Sequence, residues 1–312
     1  MRRHELTERL LRLRSVPIFS SVPSAELAPL AATMRAASFE KGDVLLREDA
    51  VPASFHVLLS GEVTMRRRGE KLTTISAPGG VGFLSVLART SGGTEAVAES
   101  RTQTFEVRAD ALSELFEDHF PLLLETMRWL AERLIQESIV GEPRPYVPPE
   151  HDLDRRIGAQ ELGIVERMFL VRHTVGFRGA NVNSLVRLAR RMREERYEAG
   201  ETVWRPGDPA TSMLFLVKGR MELSWLQPET GETATQIVGP GYLLGGSEPL
   251  AASPRWNELV AKEPVVLLSS AHEAIVDMLE DDLEVALHFL SVVATFLLEL
   301  WDRRAGTYAG ER

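Results

Sequence analysis

The spacing of apolar residues changes along the chain in an order that predicts the elements of one half. Leucines at helical spacing occupy the segment Leu6–Leu13. Short apolar runs bounded by glycine and proline follow, as at 44–46 and 55–59, and such runs indicate short β-strands. Apolar residues return to helical spacing over Leu122–Leu134 and predict a closing helix. This order predicts a mainly β (α+β) fold built on a jelly roll.

The second half of the chain repeats this order. Phe39–Gly42 (FEKG) reappears 158 residues later as Tyr197–Gly200 (YEAG), and many other apolar residues and glycines keep the same offset. The offset widens to 162–163 after residues 227–232, a predicted hairpin turn where an insertion costs little. Chance does not hold one register over so many positions, so we infer a tandem repeat. Gly61 and Gly219 are predicted to make equivalent tight turns.

A proline-rich segment separates the two copies. Four prolines fall between positions 143 and 149, which excludes a helix or an inner strand and predicts a stiff, extended linker. We therefore predict a first domain at 1–140, a linker at 141–160 and a second domain at 161–312. The length of 312 residues agrees with two separate cores.

Composition narrows the functional classes. A net charge of -9 argues against a nucleic-acid partner, and we interpret the run Arg66–Arg68 as a solvated hairpin turn. The chain has no cysteine, which excludes disulfides and thiolate sites. The histidines are scattered without metal-ligand spacing, and neither a nucleophile elbow nor a phosphate loop occurs. We expect no enzyme, no catalytic residues and no metal site.

The two ends of the chain bear on location and partners. The first residues are charged and lack an apolar secretion core, which predicts a cytoplasmic protein. The apolar segment 285–301 is shorter than the roughly 20 residues of a membrane span, so no span is predicted. Because the predicted helix from Leu283 to Trp301 is apolar almost all round, we expect a homodimer or another protein partner to cover it.

The predicted elements resemble the cyclic-nucleotide-binding domain, whose family includes the catabolite activator protein and the regulatory subunits of cyclic-AMP-dependent protein kinase. The resemblance rests on Val16–Ser20, Phe39–Leu45 and Phe55–Val63, and it extends over both halves. It implies two tandem β-rolls. The family's transcription factors carry a helix-turn-helix after the closing helix, whereas eleven residues follow Trp301 here, so we expect no DNA-binding part.

The resemblance also implies where a ligand would lie. In the family, a segment after a Pro-Gly turn holds the cyclic phosphate with an arginine and the ribose with a glutamate. In the first copy, Phe83 stands at the glutamate position and Gly92 at the arginine position. Both charged contacts are lost, so we expect the first copy not to bind a cyclic nucleotide.

The second copy keeps part of this pattern. Gly246 replaces the glutamate, while Arg255 stands at the arginine position. Glu248, two residues past the missing acid, is a candidate substitute. The candidate ligand-binding residues are Gly245, Gly246, Ser247, Glu248 and Arg255.

Two functional hypotheses follow. The first is a non-enzymatic regulatory or scaffold protein without a cofactor, built from two degenerate cyclic-nucleotide-binding-like domains that act through protein–protein interaction. The alternative is a sensor that binds a cyclic nucleotide or another small anion in the second domain. An unpaired Arg255 facing an empty cradle favours the sensor. An Arg255 satisfied by Glu258, or a cradle filled by Trp256 and Leu250, favours the scaffold. The alternative to a ligand contact is that Arg255 is a surface arginine that pairs with Glu258 or Glu248.

Overall fold

The computed structural model describes residues 3–20, 22–67, 69–91, 93–141 and 161–309. The chain divides into two units: Met1–Met127 with Ala294–Arg312, and Arg128–Val293. The last part of each closing helix is thus assigned to the unit that holds the other repeat's β-strands. The predicted domain ranges 1–140 and 161–312 remain predictions, and the predicted linker, beyond Gly141, lies outside the described residues.

The first repeat consists of five α-helices, a short 3-10 helix (Pro17–Phe19) and eight strands in the described residues. Its helices are α1 (Arg3–Leu13), α2 (Ser24–Thr33), α3 (Phe83–Ala88), α4 (Ala109–Asp118) and α5 (Phe120–Val140). Its strands are β1 (Arg35–Phe39), β2 (Val44–Leu46), β3 (Ser54–Ser60), β4 (Glu62–Arg67), β5 (Glu70–Ser76), β6 (Gly79–Val81), β7 (Thr94–Ala98) and β8 (Thr102–Arg108). The helices and strands predicted from apolar spacing are confirmed.

The strands of the first repeat form two antiparallel sheets. Their orders are β1-β8-β3-β6 and β2-β7-β4-β5. Along β7, buried residues alternate with half-buried ones, as expected for a strand with one face on a core. A core cluster includes Leu46, Leu58, Val63 and Val81. The fold is therefore the predicted β-roll with flanking helices.

The second repeat has the same plan. Its helices are α6 (Ile164–His173), α7 (Val182–Arg191), α8 (Ser247–Leu250), α9 (His272–Asp281) and α10 (Leu283–Ala309). Its strands are β9 (Arg193–Tyr197), β10 (Thr202–Trp204), β11 (Ser212–Lys218), β12 (Met221–Leu226), β13 (Thr233–Val238), β14 (Leu243–Leu244), β15 (Glu258–Ala261) and β16 (Val265–Ala271). The sheets run β9-β16-β11-β14 and β10-β15-β12-β13. This is the strand order of the first repeat, which confirms the duplication.

The turns follow the predictions in both repeats. Gly61 and Gly219 have φ angles of +91° and +86°, a region that glycine enters without steric cost. A Cβ at these positions would lie 2.7 Å from the Arg101 carbonyl and 2.6 Å from the Pro264 carbonyl. The longer hairpin predicted at 227–232 joins β12 to β13.

Buried phenylalanines anchor the core of each repeat. Phe19 stacks on Phe55 with ring centroids 6.4 Å apart. In the second unit, Phe177 lies 5.4 Å from Phe215 and 5.6 Å from Phe289 of α10. Phe19 and Phe177 are equivalent at the repeat offset, and each follows the first helix of its repeat, whereas their partners Phe55 and Phe215 are not equivalent positions.

Helix α10 is longer than the sequence predicted. It has 27 residues, Leu283–Ala309. Its 19-residue part Leu283–Trp301 is long and apolar enough to cross a membrane by length and composition, so the argument that the apolar segment is too short for a span is wrong. Its part Leu283–Trp301 has a mean hydropathy of 1.8, and 50% of that window is buried. Core helices of soluble proteins reach the same values, and the absence of a span stays a prediction.

Arg67 corrects a second interpretation. The run at 66–68 was predicted to be a solvated turn, but Arg67 lies in β4 and is 4% exposed. Its Nη1 donates to Thr94 Oγ1 at 2.9 Å. Arg66 is exposed as predicted, and Arg68 lies outside the described residues.

Candidate functional site

The second cassette, defined here as residues 243–255, holds all five candidate residues in the segment between β14 and β15. Gly245 follows β14 with φ +63°, and α8 begins two residues later. A Cβ at position 245 would lie 2.9 Å from Cζ of Arg255 and 3.0 Å from the Trp204 ring. Glycine at 245 is therefore required both by the backbone and by the close approach of the arginine.

Arg255 is enclosed by acceptors and by an aromatic ring. Its side chain is only 2% exposed. Nη2 donates to the Ser212 carbonyl at 2.6 Å, and Nη1 donates to the Gly245 carbonyl at 3.1 Å. Its guanidinium carbon lies 4.1 Å from the centroid of the Trp204 ring, a cation–π distance. The guanidinium thus has protein partners on both its edge and its face.

Glu248 supplies the opposite charge. Its Oε2 lies 3.8 Å from Nη1 of Arg255, and its side chain is 3% exposed. Burial raises the pKa of Glu248, while the attraction of Arg255 acts in the opposite direction. Burial also lowers the pKa of Arg255, but a guanidinium keeps its proton in proteins because its ordinary pKa exceeds about 12. The second cassette therefore contains a buried ion pair.

Residues outside the second cassette hold Arg255 in place. Its backbone N–H donates to the Asp208 carbonyl at 2.9 Å, and its carbonyl accepts from the Gly207 N–H at 2.8 Å. The Trp204 ring is fixed in turn, because its Nε1 donates to Asn257 Oδ1 at 3.0 Å. Sequence analysis missed these partners. The one available signal was that Trp204 stands, at the repeat offset, where the first copy has Leu46.

The structure brings Gly245, Glu248 and Arg255 together, but not in the predicted arrangement. The Glu248 carboxylate faces Arg255 rather than standing free as a substitute for the family's glutamate. Glu258, the other predicted partner, instead lies 3.8 Å from Arg205. Whether the five residues bind a ligand stays a prediction.

The small residues of the second cassette have mainly backbone roles. Gly246 precedes α8, and a Cβ there would lie 3.2 Å from Leu243. The Ser247 carbonyl accepts the N–H of Ala251 at 2.9 Å, which closes the turn of α8. Ser253 Oγ is buried and has no hydrogen-bond partner among the described residues.

Helix α5 contributes to the surroundings of the second cassette, because its part from Arg128 onward belongs to the second unit. Arg128 Nε donates to the carbonyl of Leu250, the last residue of α8, at 3.3 Å. The Ile139 carbonyl accepts from Trp225 Nε1 at 3.2 Å. Trp225 packs edge-to-face on Trp256, with centroids 5.4 Å apart. Nothing in the sequence pattern of α5 predicted these contacts.

The first cassette, defined as residues 79–91, is filled with apolar side chains. Phe83, at the family's glutamate position, is 7% exposed. Its ring lies 5.2 Å from Phe55 and 6.0 Å from Phe19 in edge-to-face geometry. All residues of α3 are buried. Gly92, at the arginine position, lies outside the described residues.

Two further features lie outside both cassettes. A groove of about 720 Å³ in the first unit is lined by charged residues of both signs, among them Glu5, Arg9, Arg108 and Asp110. Across the described residues, no group of three or more His, Asp or Glu side chains is placed to hold a metal ion.

Comparison with known proteins agrees with this architecture. The family model of the cyclic nucleotide-binding domain matches residues 36–119 and 194–282. The global nitrogen regulator of Nostoc sp. is 32% identical over 112 residues, which is 34% of this chain and 48% of that protein. Acetyltransferase Pat of Mycolicibacterium smegmatis is 31% identical over 90 residues, or 29% of this chain and 27% of that enzyme.

A solved structure aligns over most of the chain at low identity. The regulatory domain of Toxoplasma gondii PKA, co-crystallised with cAMP, is 14% identical, covers 91% of this chain and 97% of its own, and has a TM-score of 0.37. By contrast, this chain spans about half or less of the curated relatives named above.

Proposed function

Because the chain belongs to the cyclic nucleotide-binding domain family, with two copies in tandem, we propose that it is a non-enzymatic regulatory protein. In this proposal, its two domains are degenerate in ligand binding and act as a scaffold through protein–protein contacts. The proposal includes a cytoplasmic location and no nucleic-acid partner. The net charge of -9 supports the absence of a nucleic-acid partner.

The observation that carries the proposal is that the guanidinium of Arg255 already has hydrogen-bond and ion-pair partners within the protein. A phosphate-binding arginine needs donors that point at the ligand, and it gains most when a charged acceptor arrives. Here the Gly245 and Ser212 carbonyls accept from both Nη atoms, and Glu248 supplies the counter-charge. A cyclic phosphate would have to displace the buried Glu248 carboxylate, which lies 3.8 Å from Nη1 of Arg255.

The first cassette supports the same proposal by a different route. Phe83, at the family's glutamate position, packs in an aromatic cluster with Phe19 and Phe55. Opening that cluster would expose buried apolar surface, which costs about 25 cal/mol per Å². The first repeat is therefore best suited to a structural or docking role.

Helix α10 is the proposed surface for a homodimer or another protein partner. Along Leu283–Val293, the part of α10 in the second unit, the half-exposed stripe includes the apolar Leu287 and Val292 together with the polar His288 and Ser291. Homodimer interfaces are more apolar than the rest of a protein surface, so half-exposed apolar side chains on this helix are candidates for such a contact. Light scattering at micromolar concentration is expected to give twice the mass of the chain, and a monomer would leave only a different protein as the occupant.

A ligand sensor is the second candidate function. Two observations favour it: Arg255 is retained at the family's arginine position, and Ser253 Oγ is a buried hydroxyl without a partner among the described residues of the second cassette. In this alternative, a cyclic nucleotide or another small anion replaces Glu248 as the partner of Arg255.

Calorimetric titration with cyclic AMP and cyclic GMP separates the two candidates. The scaffold proposal expects no saturable heat from the full chain with either nucleotide. Micromolar binding that disappears in Arg255→Ala would overturn it in favour of a sensor. Binding that persists in this variant would place a ligand elsewhere and would equally overturn the closed-cassette proposal.

A further inference from the structure

In the second cassette, the Glu248 carboxylate lies beside the buried guanidinium of Arg255. Arg255 is 2% exposed, and a guanidinium buried to this degree without a counter-charge costs several kcal/mol. The Glu248 carboxylate lies 3.8 Å from Nη1 of Arg255, the nitrogen that also donates to the Gly245 carbonyl. The two neutral carbonyls orient the guanidinium, and the carboxylate balances its charge.

The two other acids near Arg255, Asp208 and Glu258, have contacts with Arg205 instead. Asp208 affects the pKa of Arg255 through its charge, but its Oδ2 accepts the backbone N–H of Arg205 at 2.8 Å. Glu258 lies 3.8 Å from Arg205 and is partly exposed. Among the described residues, Glu248 is the acid whose carboxylate lies within ion-pair distance of Arg255.

We propose that Glu248 is an internal anion that occupies the second cassette in place of a ligand's phosphate, and that removing its charge converts the cassette into a binding site for phosphate-bearing small molecules. The inference rests on the proposed function, since it explains why the cassette of the natural chain is closed. It differs from the sequence prediction, in which Glu248 served as a second ligand contact.

The Glu248 carboxylate and a ligand's phosphate can each serve as the anionic partner of Arg255. A carboxylate and a phosphate oxygen are both acceptors of charge-assisted hydrogen bonds, and a guanidinium binds either in a bidentate manner. The carboxylate is part of the chain and therefore pays no cost of association, whereas a free ligand does. A free phosphate can win only when the internal acid is neutralised or removed.

Two variants and a matched control test this inference. Glu248→Gln removes the charge and keeps the volume, while Glu248→Ala also opens space beside Arg255. Glu258→Gln is the control, because Glu258 also lies 3.8 Å from an arginine but in a more exposed pair. Each full-length variant is titrated with cyclic AMP and with inorganic phosphate, and its melting temperature is recorded with and without each probe.

The expected result is a gain of affinity of at least about tenfold for one or both probes in the Glu248 variants, which corresponds to 1.4 kcal/mol or more. The gain is expected to disappear when Arg255→Met is added. Binding of both probes identifies a general phosphate site, and binding of cyclic AMP alone identifies a site that also needs the nucleoside.

Several outcomes would overturn the inference. Folded Glu248 variants that bind no better than the natural chain would do so, as would an equal gain in Glu258→Gln. If neither Glu248 variant folds in buffer, refolding is repeated with inorganic phosphate, and failure of phosphate to restore the fold contradicts the inference. Micromolar binding by the natural chain is a separate result, because it removes the proposed function itself.

Discussion

Replacing Arg255 by methionine distinguishes a structural arginine from one that waits for a ligand. In the structure, the guanidinium serves two backbone carbonyls, the Glu248 carboxylate and the Trp204 ring. Methionine fills similar space but leaves the Glu248 carboxylate without its counter-charge and the carbonyls of Gly245 and Ser212 without their donors.

The expected cost follows from these contacts. Removing one partner of a buried ion pair costs about 3–5 kcal/mol because the other charge stays buried. The lost contact with the Trp204 ring adds up to about 2 kcal/mol, but effects in one network are not additive. Protonation of Glu248 limits the loss, since burial already raises its pKa. We therefore expect Arg255→Met to destabilise the protein by about 3–5 kcal/mol.

Urea unfolding, followed by tryptophan fluorescence, measures this cost from the shift of the midpoint. The double variant Glu248→Gln/Arg255→Met completes a cycle and is expected to recover at least about 1 kcal/mol relative to additivity. A loss below about 1 kcal/mol in Arg255→Met, the value of an exposed pair, would refute the reasoning. Arg255 would then be a group that the fold does not need.

Three further predictions test other parts of the account. Gly245→Ala is expected to destabilise the protein by more than about 2 kcal/mol in the same assay, because the new Cβ meets Arg255 as well as a left-handed backbone. Gly231→Ala is the control: Gly231 has φ +70° and open space around it, so only the backbone cost of about 1 kcal/mol is expected. Equal losses in the two variants would contradict the contact with Arg255. Phe83→Ala is expected to lose about 3–5 kcal/mol without gaining cyclic nucleotide binding, and measurable binding would show that the first cassette is blocked rather than lost. Burial lowers the pKa of His56 in the folded protein. The contribution of His56 to stability is therefore present above its unfolded pKa of about 6.5 and is lost as pH falls through its folded pKa. His56→Gln should flatten the acid side of the plot of unfolding free energy against pH, and an unchanged plot would contradict this assignment.

Sequence reasoning reached the fold because the information is local and repeated. Glycines that need positive φ, such as Gly61 and Gly219, mark the turns, and short apolar runs mark the strands between them. Because the repeat offset relates equivalent positions, each of these patterns is seen twice, once in each repeat. The length of α10 was missed, because residues 302–309 are polar or small and lack the apolar pattern that predicts a helix.

The candidate site was only partly predictable. Arg255 and Glu248 were both identified, since the offset and the family pattern place them close together in the chain. Their pairing was one of two alternatives, because sequence distance does not say which acid faces the arginine. The Ser212 carbonyl is a backbone partner and Arg128 of α5 is a distant one, and only the folded chain brings them to the second cassette.

Hydrogen–deuterium exchange of the full chain with and without millimolar cyclic AMP tests the central claim most directly. The claim is that the Arg255–Glu248 pair already closes the second cassette, so the nucleotide should leave exchange in residues 243–255 unchanged. Slower exchange confined to this segment and its neighbour Trp204 would contradict the claim, because it would show the cassette accepting a ligand that its own carboxylate is proposed to exclude.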